Sequence, residues 1–154
     1  ETLYAVKQMR AQEGERLKQD LLERIKKIEL MLNQIEERAP YVVYEYQQKL
    51  GERLQELLQS SDLDENRFNM EVATFADRSN ITEEVVRLKS HLGQFVDTMD
   101  TEGSIGRKLD FLVQEMNREA NTISSKANDV TIVKLVVDMK SEIEKVREQV
   151  QNIE

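Results

Sequence analysis

The sequence has no cysteine and no tryptophan, only one proline and five glycines. The absence of cysteine excludes disulfides, thiolate zinc sites and a cysteine nucleophile, and it fits a reducing, cytoplasmic location. No apolar run approaches the roughly 18 residues needed to cross a membrane, so we expect no membrane partner. The polar opening stretch does not resemble a signal peptide. The chain also begins without methionine, and we expect it to be a fragment.

Charged residues make up 34% of the 154 residues and hydrophobic residues 39%. This mixture, rich in Glu, Leu, Gln, Lys and Arg, is typical of long helices and helical bundles. The net charge of −8 argues against a general nucleic-acid-binding surface. Residues 61–103 carry 10 acidic and 4 basic side chains, so the rest of the chain is nearly balanced. A local basic strip is therefore compatible with the composition.

Apolar residues recur with helical spacing over nearly the whole chain, and no strand pattern interrupts them. We predict one helix over residues 2–38 and another over 40–59, folded into an antiparallel hairpin because Pro40 marks a break. The first of these helices carries a 4-3-4-3 seam like that of a coiled coil. The seam residues are Leu21, Ile25, Ile28, Leu32 and Ile35.

Four more helices are predicted after a polar linker. Asp64, Asn80 and Asp129 have the residue types and positions of helix N-caps. The helix that follows Asp64 is apolar so far around its circumference that we expect it to be buried. The predicted fold is therefore all-α. A long antiparallel hairpin over residues 1–60 precedes a bundle of four helices with coiled-coil-like seams over residues 61–154.

The only histidine, His91, shares one helical stripe with Glu84 and Arg87. An imidazole, a carboxylate and a guanidinium on one stripe can bind phosphate, or can hold a metal with ligands from elsewhere. The alternative is an ordinary, partly exposed histidine beside charged neighbours. The pattern alone leaves both interpretations open.

A second candidate is the pair Glu115 and Glu119, which lie four residues apart on one predicted helix. Like charges at this spacing repel each other by a few tenths of a kcal/mol. Paired carboxylates are common ligands of hard divalent cations, and such cations promote phosphodiester cleavage. The alternative is a solvated helix face. Basic and amide side chains that could contact phosphates flank the pair. They are Arg107, Lys108, Gln114, Arg118, Asn121 and Lys126.

Three blocks of the sequence resemble the C-terminal half of the YicC/YloC family of bacterial proteins. They are FNMEVATFADRSNITEEVVRLKSHLGQF, GSIGRKLDFLVQEMNREANTISSKAND and SEIEKVREQVQNIE. The resemblance covers essentially the whole chain, although Ser124 stands where the family usually has glycine. Family members carry an additional N-terminal domain that opens with an MTGFG-like motif, which this sequence does not contain.

The resemblance implies a cytoplasmic, metal-dependent endoribonuclease or RNA-decay factor that works as a ring-like homo-oligomer, with a hexamer as the expected form. We expect RNA as substrate and Mn²⁺ or Mg²⁺ as cofactor. The predicted catalytic residues are His91, Glu115, Arg118 and Glu119. The predicted RNA-binding residues are Arg87, Arg107, Lys108, Gln114, Asn121 and Lys126. The predicted metal ligands are Glu84, Glu115 and Glu119.

Two other interpretations stay open at this point. In the first, the chain is a non-catalytic module whose hairpin and last helix assemble subunits or recruit other RNA-decay proteins. In the second, it is only a structural coiled-coil fragment. The polar patch around Glu115 and Glu119 argues against this last interpretation.

Overall fold

The structure is a computed structural model that describes residues 2–58 and 64–153. Within these ranges the chain forms helices and no strands, so the all-α prediction is confirmed. The helices are α1 (Thr2–Leu58), α2 (Glu65–Arg78), α3 (Thr82–Met99), α4 (Gly106–Lys126) and α5 (Val130–Val150). None of these described helices is long and apolar enough to span a bilayer.

The middle of α1 packs with α3, α4 and α5 as a four-helix bundle in which neighbouring helices run antiparallel. Arg24 of α1 contacts Glu142 of α5, whereas Arg38, further along α1, contacts Asp129 at the start of α5. The seams predicted from the sequence form the core of this bundle. Its fully buried large side chains are Leu21, Ile28, Leu32, Ile35, Leu88, Phe95, Leu109, Leu112, Met116, Ile123, Ile132 and Met139.

Pro40 does not break the chain as predicted, because α1 continues through it as one helix of 57 residues. A proline inside a helix costs about 3 kcal/mol, so other contacts must hold this region. Arg38 donates two hydrogen bonds to Glu45, at 2.9 and 2.7 Å, and this ion pair spans the proline. Val42, one turn before Glu45, is buried in the core. The predicted hairpin between residues 2–38 and 40–59 is therefore corrected.

An antiparallel helix pair does exist nearby, between the C-terminal part of α1 and α2. The rings of Tyr46 and Phe75 stack with their centroids 3.8 Å apart. The ring of Phe68 lies beside Gly51. The expectation that this short helix is buried is wrong, since none of the residues of α2 is fully buried. It lies against one side of α1, and its remaining circumference faces solvent.

Asp129 links the start of α5 to the middle of α1. Its side chain accepts a hydrogen bond from the backbone amide of Ile132 and so caps α5, as predicted. It also accepts two hydrogen bonds from Arg38, at 3.2 and 3.0 Å. The hydrogen bonds from Arg38 hold the pKa of Asp129 below its ordinary value, and the amide of Ile132 adds to the effect.

The lowered pKa of Asp129 predicts a loss of stability in acid. Its contribution is present above the unfolded-state pKa, close to 3.8, and is lost as the pH falls through the folded-state value. Asparagine caps a helix as well as aspartate does, so Asp129→Asn removes the charge of the pair with Arg38 and keeps the cap. The free energy of unfolding should therefore fall by about 1 kcal/mol near pH 6, and by less near pH 3. Urea unfolding at both pH values measures the difference. Asp64→Asn, at a cap without an ion pair among the described residues, is the control.

Candidate metal centre

The antiparallel packing of α3 against α4 brings two polar stripes of the sequence face to face. His91 of α3 lies opposite Glu115 and Glu119 of α4, and one ligand atom from each residue lies within 4.8 Å of the others. Glu119 is buried, while His91 and Glu115 are half-buried. The stripes belong to helices whose apolar seams pack in the core, so the core fixes the backbone on which the three side chains stand.

The three donors lie in a groove of about 390 Å³. The groove is lined by Arg87, His91, Glu115, Arg118, Glu119 and Thr122. A cavity of about 660 Å³ near Leu21 and another of about 420 Å³ near Pro40 are larger. Neither of these contains a comparable cluster of His, Asp or Glu among the described residues. The cluster of possible metal ligands therefore makes the smaller groove the candidate site.

The donor set fits a divalent cation. Two ligands on opposite sides of an ion such as Mg²⁺ lie about 4.2 Å apart, so small side-chain rotations would close the cluster. His91 Nδ1 is buried and has no hydrogen-bond partner among the described residues. A buried polar atom without a partner costs free energy, and coordination of a cation by the imidazole is one way to offset that cost.

Arginines balance the negative charge of the cluster. Arg87 donates a hydrogen bond of 3.0 Å to Glu83, and its other terminal nitrogen lies 3.9 Å from Oε1 of Glu119. Arg118 lines the same groove and makes no ion pair with any described residue. The groove thus combines a possible cation site with a free guanidinium, which is a suitable group for binding a phosphate.

Glu84 lies outside this cluster, although it was predicted as a metal ligand. Its side chain is only 4% exposed, and its Oε1 accepts a 2.7 Å hydrogen bond from Nζ of Lys126. Burial disfavours the charged form of Glu84, but the hydrogen bond from Lys126 and nearby positive charge outweigh it, so the pKa lies below its ordinary value. The structure therefore pairs a predicted metal ligand with a predicted RNA-binding residue.

Comparison with known proteins agrees with the resemblance noted in the sequence. Residues 35–154 match the family described as endoribonuclease YicC-like, C-terminal. The chain belongs to this family.

Two curated relatives of this YicC-like chain are both named "Probable endoribonuclease YicC". The protein from Clostridioides difficile (strain 630) is 50% identical to it, and the match covers 100% of this chain and 53% of the relative. The protein from Haemophilus influenzae is 34% identical, with 95% and 50% covered. The chain thus spans about half the length of the curated relatives it matches.

The other predicted RNA-binding residues of the YicC-like chain do not line the groove. Arg107 and Lys108 are exposed in the first turn of α4, and Asn121 is exposed further along it. Gln114 is exposed and donates a hydrogen bond to Asp110. Their contact with RNA stays a prediction. Sequence reasoning did not select Thr122 as a site residue, although it lies on the Glu119 stripe and its place there could have revealed it.

Proposed function

We propose that this chain carries the metal centre of a divalent-metal-dependent endoribonuclease, which hydrolyses RNA phosphodiesters in the cytoplasm as part of bacterial RNA decay. The observation that carries the proposal is the convergence of ligand atoms from His91, Glu115 and Glu119 within 4.8 Å. The membership of the YicC-like family and the names of its relatives support the choice of RNA as substrate.

Mn²⁺ or Mg²⁺ is the proposed cofactor, held by His91, Glu115 and Glu119. Carboxylates suit both ions, whereas the imidazole favours Mn²⁺, because Mg²⁺ is usually bound through oxygen ligands. When bound, such an ion polarises a phosphoryl oxygen and lowers the pKa of coordinated water. Arg118, which lines the groove and has no ion-pair partner among the described residues, would contact a phosphate of the RNA through its guanidinium.

Assembly into a homo-oligomer, with a hexamer as the expected form, is part of the proposal. The start of α1 supports it, because four large apolar side chains there are exposed to solvent. They are Leu3, Tyr4, Val6 and Met9, with exposed fractions of 78%, 70%, 48% and 62%. The same feature supports the alternative function, a non-catalytic module that joins subunits or recruits other RNA-decay proteins.

The cleavage of a labelled single-stranded RNA tests the proposed activity. The chain should cut the RNA with Mn²⁺ or Mg²⁺ and should not cut it in EDTA. His91→Ala should reduce the rate by at least about a hundredfold, because it removes one ligand of the ion or a group that transfers a proton. Ser90→Ala, at the exposed neighbouring position, is the matched control and should keep the activity of the parent.

Two results would contradict the proposal. Equal cleavage by His91→Ala and the parent would exclude the His91 site. Cleavage by the Clostridioides difficile relative but not by this chain, under the same conditions, would show that the activity needs more than the half of the relative that this chain covers. The non-catalytic module would then be the better description of the chain.

A further inference from the structure

The ion pair between Glu84 and Lys126 has a geometric relation to the metal cluster. Glu84 lies seven residues before His91 on α3, and Lys126 lies seven residues after Glu119 on α4. Because the helices are antiparallel, both intervals run in the same direction along the bundle. Seven residues are about two helical turns, or 10.5 Å. The pair therefore lies about two helical turns from His91 along α3 and about two turns from Glu119 along α4.

This pair is also the one hydrogen-bonded side-chain contact between α3 and α4 among the described residues. The other ion pair between the two helices, Arg87 with Glu119, spans 3.9 Å and is too long for a hydrogen bond. The seams of the two helices bury apolar side chains, and hydrophobic attraction by itself is not directional. The polar groove between the helices holds His91, Glu115 and Glu119, and within the described residues it adds no further hydrogen bond from one helix to the other. The hydrogen bond between Lys126 and Glu84 is therefore a specific contact that can define the position of one helix along the other.

The burial of Glu84 is difficult to explain by stability alone. Its Oε2 is buried without a hydrogen-bond partner among the described residues, so only one of the two carboxylate oxygens replaces its hydrogen bonds to water with a hydrogen bond in the protein. Replacing a buried ion pair by apolar side chains of similar size is often neutral or stabilising. A role in fixing one arrangement of the helices would account for an ion pair at a position where two apolar side chains could also pack.

We propose that Glu84 and Lys126 are positioning residues that set the register of α3 against α4, and so hold His91 opposite Glu115 and Glu119. A slip of one helical turn, about 5.4 Å, would take the imidazole away from the carboxylates. The significance of this register for a metal ion depends on the proposed function. The register itself is a property of the fold and can be measured separately.

The test removes the pair without leaving an unpaired charge, through Glu84→Leu with Lys126→Met. Because the chain has no native cysteine, Gln94→Cys on α3 and Ser125→Cys on α4 can carry two spin labels without background labelling. Both positions are exposed, and they are offset along the helix axis, so a slip of one turn changes the distance between the labels by several ångströms. Pulsed electron paramagnetic resonance then gives the distance between the helices. We expect one narrow distribution in the parent, and a second population or a clear shift in the double variant.

Mn²⁺ affinity, measured by calorimetry on the unlabelled proteins, is the second readout. It should fall about tenfold in the double variant, the lower end of the effect of mutating groups that orient metal ligands. Arg24→Met with Glu142→Leu removes a comparable pair between α1 and α5, and it should leave the α3–α4 distance and the Mn²⁺ affinity unchanged. Lys126→Arg, which keeps the charge, should also retain both.

An unchanged distance distribution in the folded double variant would overturn the inference. If the double variant does not fold, Glu84→Gln, which keeps the shape and removes the charge, replaces it with the same labels and the same criterion. If the parent binds no Mn²⁺, the proposed metal centre fails, and the distance distribution still decides whether the pair sets the register.

Discussion

Replacing Glu115 and Glu119 together by glutamine should abolish the stabilisation of the chain by Mn²⁺. An ion that binds only the folded state at a hundred times its Kd stabilises that state by about 2.7 kcal/mol. For a chain of this size, the parent should therefore melt several degrees higher with Mn²⁺ than with EDTA. The double variant should melt at the same temperature in both solutions, as measured by circular dichroism. Its metal-dependent RNA cleavage should disappear as well.

The stability of this variant without metal separates a site from a solvated face. Removing two like charges four residues apart relieves a few tenths of a kcal/mol of repulsion, while loss of the Arg87–Glu119 attraction acts in the opposite direction. We expect a net change within about 0.5 kcal/mol. Glu144→Gln with Glu148→Gln, an exposed pair of the same spacing on α5, is the matched control. A Mn²⁺ shift that survives the substitution of Glu115 and Glu119 would refute the site.

Phe95→Ala should cause the largest loss of stability. Phe95 is fully buried at 0% exposure in the bundle, and its removal leaves a cavity that the surrounding helices can only partly fill. Substitutions of this kind cost about 3–5 kcal/mol, which is a large part of the stability of a domain. The midpoint of urea unfolding measures the change. The dependence of the unfolding free energy on urea concentration should stay the same, as expected if unfolding remains two-state.

The control for this prediction is a phenylalanine whose side chain is exposed to solvent. Phe111 of α4 is 57% exposed, and Phe111→Ala should change the free energy of unfolding by no more than about 0.5 kcal/mol. Similar effects of the two substitutions would contradict the packing of α3 in the core. A large effect at Phe111 alone would indicate that its exposed face is covered by another molecule in solution.

Most of the fold could be predicted because the helical seams are regular. Residues spaced four and three apart, such as Leu88, Leu92 and Phe95, are buried as expected. The interpretation of Pro40 failed because the local rule omits tertiary contacts. The ion pair from Arg38 to Glu45 spans the proline, and no single-helix pattern shows that Arg38 is also held by Asp129, 91 residues further along the chain.

The candidate site could be predicted only in parts. Helical spacing placed Glu115 with Glu119 on one stripe and Glu84 with His91 on another. It did not show how the two stripes meet, because the register between helices depends on three-dimensional packing. The structure brings His91 to the carboxylates of α4 and leaves Glu84 with Lys126. The roles of these residues stay predictions until metal binding and cleavage are measured.

The unbroken course of α1 has a consequence for the behaviour of the isolated chain in solution. A helix of 57 residues is about 85 Å long, whereas the 21 residues of α4 span about 32 Å. A compact chain of 154 residues has a radius of gyration of about 15 Å. This chain should exceed that value, diffuse and sediment more slowly than a sphere of its mass, and elute early from a sizing column. An early elution volume would therefore be a poor measure of how many copies associate.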